Sequence, residues 1–186
     1  MSSSAPPSSL TYPLAITLAG AGRRGFIDGP LLSAYLDGPL EIVHLSGSQF
    51  LVVDGRNNCL RVLDSRAGTL GTLPSHAAFL TPRAPTLLDG GRVACIDSGH
   101  NKVRLLTLTR RADGTVSGVT ESVLAGCGRA GAADGSAESA SFSSPAGMCA
   151  LADGSLLVAD TGNHAIRRLA PREGGGQERP RGSCRP

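Results

Sequence analysis

LLVADTGNHAIRRL, residues 156–169, sets an Asp, a Gly, an Asn, a His and two Arg between apolar runs. A His beside a carboxylate and a guanidinium suits metal binding or proton transfer, whereas Gly and Asn between aliphatic residues suit a chain reversal. Recurrence decides between them. The stretch returns as DGRNNCLR from residue 54, DSGHNKVR from 97 and DTGNHAIR from 160. A unique site is not made three times; a structural column is. His100 stands where the other copies carry Asn57 and Asn163, and His164 where they carry Asn58 and Asn101. That interchange fits a polar turn residue tolerant of positive φ better than a metal ligand. The Asp is expected to accept backbone N–H bonds across the reversal, with Gly and Asn at positive φ at its tip.

Working outward, a shift of 106 lays LAGAGRRGFIDG at residue 18 on LAGCGRAGAADG at residue 124, and 18 of 46 positions are identical from there to residues 63 and 169. A weaker copy lies between them at shifts of 43 and 63, with Phe79 and Phe142 in one column and Leu36 in the same place of the first copy. Pro39, Pro82 and Pro145 each precede an Asp by 15 residues, and Asp54, Asp97 and Asp160 each precede Arg61, Arg104 or Arg167 by 7. Spacings of 43 and 63 residues approach the length of one propeller blade, the longer gap holding an extra hairpin, TRRADGTVSG, and a Gly-rich loop.

Within each copy an apolar run follows the Pro (LEIVHL, APTLL, GMCAL), then a second run (FLVV, RVACI, LLVA), the turn, and a third (CLRVL, KVRLL, AIRRL). GTLGTL and VTESVLAG supply a fourth strand to the first two copies, and YPLAITLAG reads as a strand before Pro39. No window carries a helical period, so the fold class is all-β. The expected architecture is a partial β-propeller of about three four-stranded antiparallel blades, half of a six-bladed ring. Residues 1–10 are expected to be a disordered N-terminal segment, 11–170 the blades (repeats near 18–73, 74–124 and 124–169) and 171–186 a disordered basic tail.

The motif P-x-G-x-x-x-x-x-D-G-x-L-x-V-A-D-T-G-N-H-x-I-R, from Pro145 to Arg167, resembles the NHL repeat. The resemblance is degraded in the middle copy, which lacks the Gly-rich loop and has Ile96 before its Asp. It implies a β-propeller, in this family usually six-bladed and usually a protein-binding or RNA-binding surface, with a minority of lyase-type or lactonase-like relatives.

Bulk properties narrow the functional classes. The formal charge is +3, but residues 171–186 hold four Arg against two Glu, so the body is nearly neutral and unsuited to bulk polyanion binding. Five Cys without a C-x-x-C pair, and an N-terminus without an apolar signal region, lead to an expectation of cytoplasmic location without membrane association. G-x-G-x-x-G occurs at Gly20, Gly22 and Gly25 and again at Gly126, Gly128 and Gly131, but an Asp-Gly turn follows where a dinucleotide site needs a long helix. No H-E-x-x-H, G-x-S-x-G or His pair at ligand spacing is present, so no catalytic residue, metal or cofactor is assigned. His44, in an expected inner strand, is the first residue to consider for a channel site. Stacking platforms for RNA are scarce with four Phe, two Tyr and no Trp.

In a four-stranded antiparallel blade the turn between strands two and three emerges on the same side as the loop entering the next blade. That face collects Arg23, Arg24, Phe26, Arg56, Asn57, Asn58, His100, Asn101, Arg129, Asn163 and His164, the candidate binding residues. Pro39, Asp54, Arg61, Pro82, Asp97, Arg104, Pro145, Asp160 and Arg167 are expected to be structural columns, the Arg bracing neighbouring blades. The expected function is a non-enzymatic protein-interaction module; an RNA-binding surface and a metal-dependent hydrolase or lyase are the alternatives. Three blades leave two open sheet faces, so a homodimer completing six blades is a further expectation.

Overall fold

The computed structural model describes residues 14–75 and 78–171. The ends assigned to disorder, except Pro171 of the tail, lie outside the described residues. Three antiparallel sheets make up the fold. The first contains β1 (Gly29–Pro30), β2 (Pro39–Ser46), β3 (Gln49–Asp54), β4 (Cys59–Asp64) and β5 (Thr69–Thr72) in the order β1-β5-β4-β3-β2. The second runs β6 (Pro82–Leu87), β7 (Arg92–Asp97), β8 (Lys102–Arg110), β9 (Val116–Ala125), and the third β10 (Gly147–Ala150), β11 (Leu156–Asp160), β12 (Ala165–Leu169). The first strands of successive blades are neighbours, β6 touching both β2 and β10. This is a three-blade arc of a β-propeller.

Alternation along each strand explains why the sheets stack. Successive side chains point to opposite faces, so a sheet covered on both sides reads as an unbroken apolar run. β7 is such a strand. Val93 and Cys95 join Leu45, Leu51, Val53 and Leu60 of blade one in one core, while Ala94 and Ile96 join Phe142, Leu156 and Val158 of blade three in the next. Phe79 and Phe142 are buried in these two cores. Each fully buried Val, Leu or Phe contributes about 1.5–3 kcal/mol, so the blades are held face to face chiefly by aliphatic burial. A third cluster, Leu31, Ala34, Val52, Leu63 and Leu70, packs the long first loop on the outer face of blade one.

One expected strand is absent among the described residues. Of YPLAITLAG, residues 14–18 form no ladder with any described residue, and Leu14, Ile16 and Leu18 are exposed. A strand needs an edge to pair with, and blade one already uses β5 as its outer strand; a two-residue β1 pairs with β5 instead.

The repeated reversal is one 3-10 turn per blade: Gly55–Asn57, Ser98–His100 and Thr161–Asn163. The left-handed residue is the one that closes it, Asn58 (φ 52°), Asn101 (φ 53°) and His164 (φ 53°). The turn glycines serve close approach rather than positive φ. A Cβ at Gly99 would meet Leu80 Cγ at 2.4 Å, and one at Gly162 would meet Ser143 Oγ at 2.5 Å.

Candidate interaction face

The three Asp columns are fully buried and each organises one corner of the loop face. One carboxylate oxygen does not cap the turn itself, as expected, but accepts the N–H of a residue 17 positions earlier: Asp37 to Asp54 at 2.8 Å, Leu80 to Asp97 at 2.9 Å, Ser143 to Asp160 at 2.7 Å. In the outer copies the other oxygen accepts from Asn57 (2.9 Å) or Asn163 (2.8 Å), and also from Arg61 (2.7 Å) or Arg167 (3.0 Å). In blade two His100 Nδ1 takes the Asn position 2.9 Å from Asp97, and Arg104 Nε donates to the same carboxylate at 2.6 Å.

Two of the three column Arg, Arg61 and Arg167, brace loops rather than neighbouring blades, while Arg104 bonds Asp97 alone among the described residues. Arg61 donates to the carbonyls of Tyr35 and Ile27, both at 3.1 Å, and to Asp28 at 2.6 Å. Arg167 makes the same set with Ser141 and Ala133, both at 3.0 Å, and Asp134 at 2.7 Å. Asn57 and Asn163 pin the same loops by donating to the carbonyls of Gly25 (2.8 Å) and Gly131 (2.7 Å). Burial opposes the charge of Asp28, but the Thr72 N–H and hydroxyl together with the Arg61 guanidinium outweigh it and hold its carboxyl below the usual range. The G-x-G-x-x-G segments are built for this loop. Gly20, Gly22, Gly126 and Gly128 have left-handed φ, and a Cβ at Gly25 would lie 2.7 Å from the Tyr35 ring.

The eleven candidate binding residues therefore divide. Asn57, Asn163 and His100 are engaged with the Asp columns, while Asn58 and Asn101 accept the N–H groups of Thr81 (2.8 Å) and Ser144 (2.9 Å) on the following blade. Arg56 pairs with Asp37 at 3.5 Å. Phe26 is half exposed and lies 5.1 Å from the Arg61 guanidinium, so in copy one the loop supplies the ring that Phe79 and Phe142 supply to Arg104 and Arg167. Arg23, Arg24, Arg129 and His164 are exposed and make no side-chain hydrogen bond or ion pair among the described residues. Sequence reasoning missed Asp28, Asp134, Asp37 and the loop carbonyls; the recurrence of Asp28 and Asp134 at the shift of 106 is the signal that could have found the first two.

Chemistry elsewhere is sparse. His44 sits exposed on β2, its Nε2 3.0 Å from the Gly47 carbonyl and its ring against Phe50. Burial pushes the Cys59 thiol up to about 11, and buried Cys95 is pushed up further, so neither is a thiolate near neutral pH. Among the described residues no cluster of three His, Cys, Asp or Glu has metal-binding geometry. On the opposite face an open cleft between blades one and two is lined by Gln49, Asp64, Thr72, Arg111 and Val116. Gln49 is structural there, accepting from Val116 N (3.1 Å) and donating to Asp64 (3.2 Å).

Residues 142–169, which hold Phe142, Asp160, Asn163 and Arg167, match the family model described as NHL repeat. The third copy is an NHL repeat. Among solved structures, an auxiliary nutrient binding protein from Bacteroides ovatus ATCC 8483 superposes with a TM-score of 0.59 at 19% identity, over 77% of this chain and 39% of that one. Another, from Bacteroides thetaiotaomicron VPI-5482, gives 0.52 at 21% identity over 68% and 36%. A streptogramin B lyase structure gives 0.49 at 18% identity over 71% and 37%. The first two likenesses concern the fold, and this chain spans under two fifths of the length of each of the three chains. No curated protein sequence matches the chain.

Proposed function

We propose that the chain is a non-enzymatic binding module whose loop face recognises a protein partner through Arg23 and Arg24, with Phe26 and Ile27 beside them. The observation that supports this reading is the contrast within one loop. Its backbone is held at the carbonyls of Gly25, Ile27 and Tyr35 by Asn57 and Arg61, yet Arg23 and Arg24 project without a partner among the described residues. A loop fixed before binding loses little freedom on binding, and Arg beside an exposed aromatic ring is a common anchor of protein interfaces. The matching chemistry on the partner is a carboxylate-bearing segment next to an apolar side chain, because the guanidinium fork pairs with carboxylates in two-point fashion.

The test is affinity capture by the purified chain, with Arg23→Ala/Arg24→Ala compared against Arg111→Ala on the opposite face. The loop variant should lose the captured protein while unfolding at the same temperature, and the Arg111 variant should keep it. Equal capture by both variants, or capture abolished by RNase, would overturn the assignment.

A further inference from the structure

Blade three ends the arc with the face that blade one buries. At the shift of 106, Leu51, Val53 and Leu60 correspond to Leu157, Ala159 and Ile166. The first three are at most 1% exposed in the junction with blade two, whereas Ile166 is 70% exposed. Val43 and Leu45 pack in that same junction, and their counterparts Cys149 and Leu151 are exposed. Blade one begins the arc with the complementary half. Val52 and Leu63, the counterparts of the junction residues Val158 and Leu169, lie on its outer face packed under the chain's own first loop, and Ile42, the counterpart of the junction residue Met148, is 60% exposed beside them. The exposed face of blade three and the loop-packed face of blade one are thus the two halves of a junction that the chain already makes twice internally.

Two further features are missing their partners at the same places. Residues 14–19 correspond to 120–125 of β9, the outer strand that pairs with β8, but in blade three no described strand lies outside β12. Asn58 and Asn101 each clasp the residue preceding the next blade's Pro. His164 occupies this column in blade three, and the residue preceding the first blade's Pro is Gly38, whose N–H has no acceptor among the described residues.

We infer that two copies of this chain close head to tail about a two-fold axis, blade three of each against blade one of the other, with residues 14–19 as the outer strand of the partner's third blade. Both open junctions close at once, six blades complete a ring, and no sheet is left with a bare face. The β8–β9 ladder, carried over by the shifts of 63 and 106, sets the register: Ile166 opposite Ala19, Arg167 opposite Thr17, Arg168 opposite Ile16 and Leu169 opposite Ala15. Ile16 and Leu14 gain a paired edge, and His164 reaches the Gly38 N–H of the second copy.

Light scattering on the 186-residue chain should give twice 18.9 kDa. Ile166→Glu, at a position open in the single arc, should halve that mass with the β-sheet circular dichroism retained, and His164→Asn should leave the dimer intact. Mixing an Ile16→Cys chain with an Arg168→Cys chain under oxidation should join the two introduced thiols, as mapped by peptide mass spectrometry, and neither variant alone should form that bond. A monomer at tens of micromolar, a ladder of larger species, or a mixture without the 16-to-168 cross-link would overturn the proposal.

Discussion

Asp54 and Arg61 are both fully buried and paired with each other, and Arg61 has a second carboxylate partner in the half-exposed Asp28. A buried ion pair is weak evidence of net stabilisation, but removing one partner strands the other charge in a place water cannot reach, at about 3–5 kcal/mol. Asp54→Ala should therefore lower unfolding stability by about that amount in urea titrations. Asp160→Ala should cost less, on the order of 1–3 kcal/mol, because Arg167 retains some exposure to water where Arg61 has none. Asp28 gives a pH signature. Its folded pKa lies below its unfolded value, so its contribution is present above about pH 4 and lost as the pH falls through the folded value. In Asp28→Asn the loss of stability on acidification should be shallower than in the parent chain. Recurrence made the Asp and Arg columns legible in the sequence. Their partners were not legible, because most are backbone atoms of loops, and any residue type presents the same carbonyl or N–H.

The loop of residues 20–36 is an element in its own right, with a hydrogen-bond plan repeated at 126–142. Gly20 N donates to Leu31 O at 2.8 Å and Gly126 N to Ala137 O at 2.7 Å; Gly25 N donates to Leu36 O at 3.2 Å and Gly131 N to Phe142 O at 3.1 Å. Such internal bonding keeps a long surface loop in one conformation. Gly25→Val would push a side chain into the Tyr35 ring, so hydrogen exchange at the Ile27 and Tyr35 amides should accelerate while β3 and β4 stay protected. Unchanged exchange there would mean that the loop yields without cost. By contrast, Arg23→Ala/Arg24→Ala should stay within about 0.5 kcal/mol of the parent, as surface changes usually do, when both are unfolded in urea. The strands that pair inside a blade were readable from alternation and turn residues. The strand expected over YPLAITLAG is not formed by its described residues within the single chain, since β-pattern alone does not provide an edge.

At the scale of the whole molecule, the blade count came from the spacing of Pro, Asp and Arg, and the runs FLVV, RVACI and LLVA, read as strands, supply the cores between blades. What spacing could not show is which face of a sheet lacks cover. The structure shows it: Ile166 and Leu60, which share one column of the repeat, lie at opposite extremes of exposure. The arc is an unfinished surface in a specific sense: each end carries the half-junction that the other needs. Hydrogen–deuterium exchange of the amides of residues 14–19, followed as the chain is diluted, tests this most directly. If two chains complete one another, these amides are protected at the concentration where light scattering reports a dimer, and they lose protection on dilution and in Ile166→Glu. Rapid exchange of 14–19 at every concentration, with β11 and β12 protected as before, would contradict it.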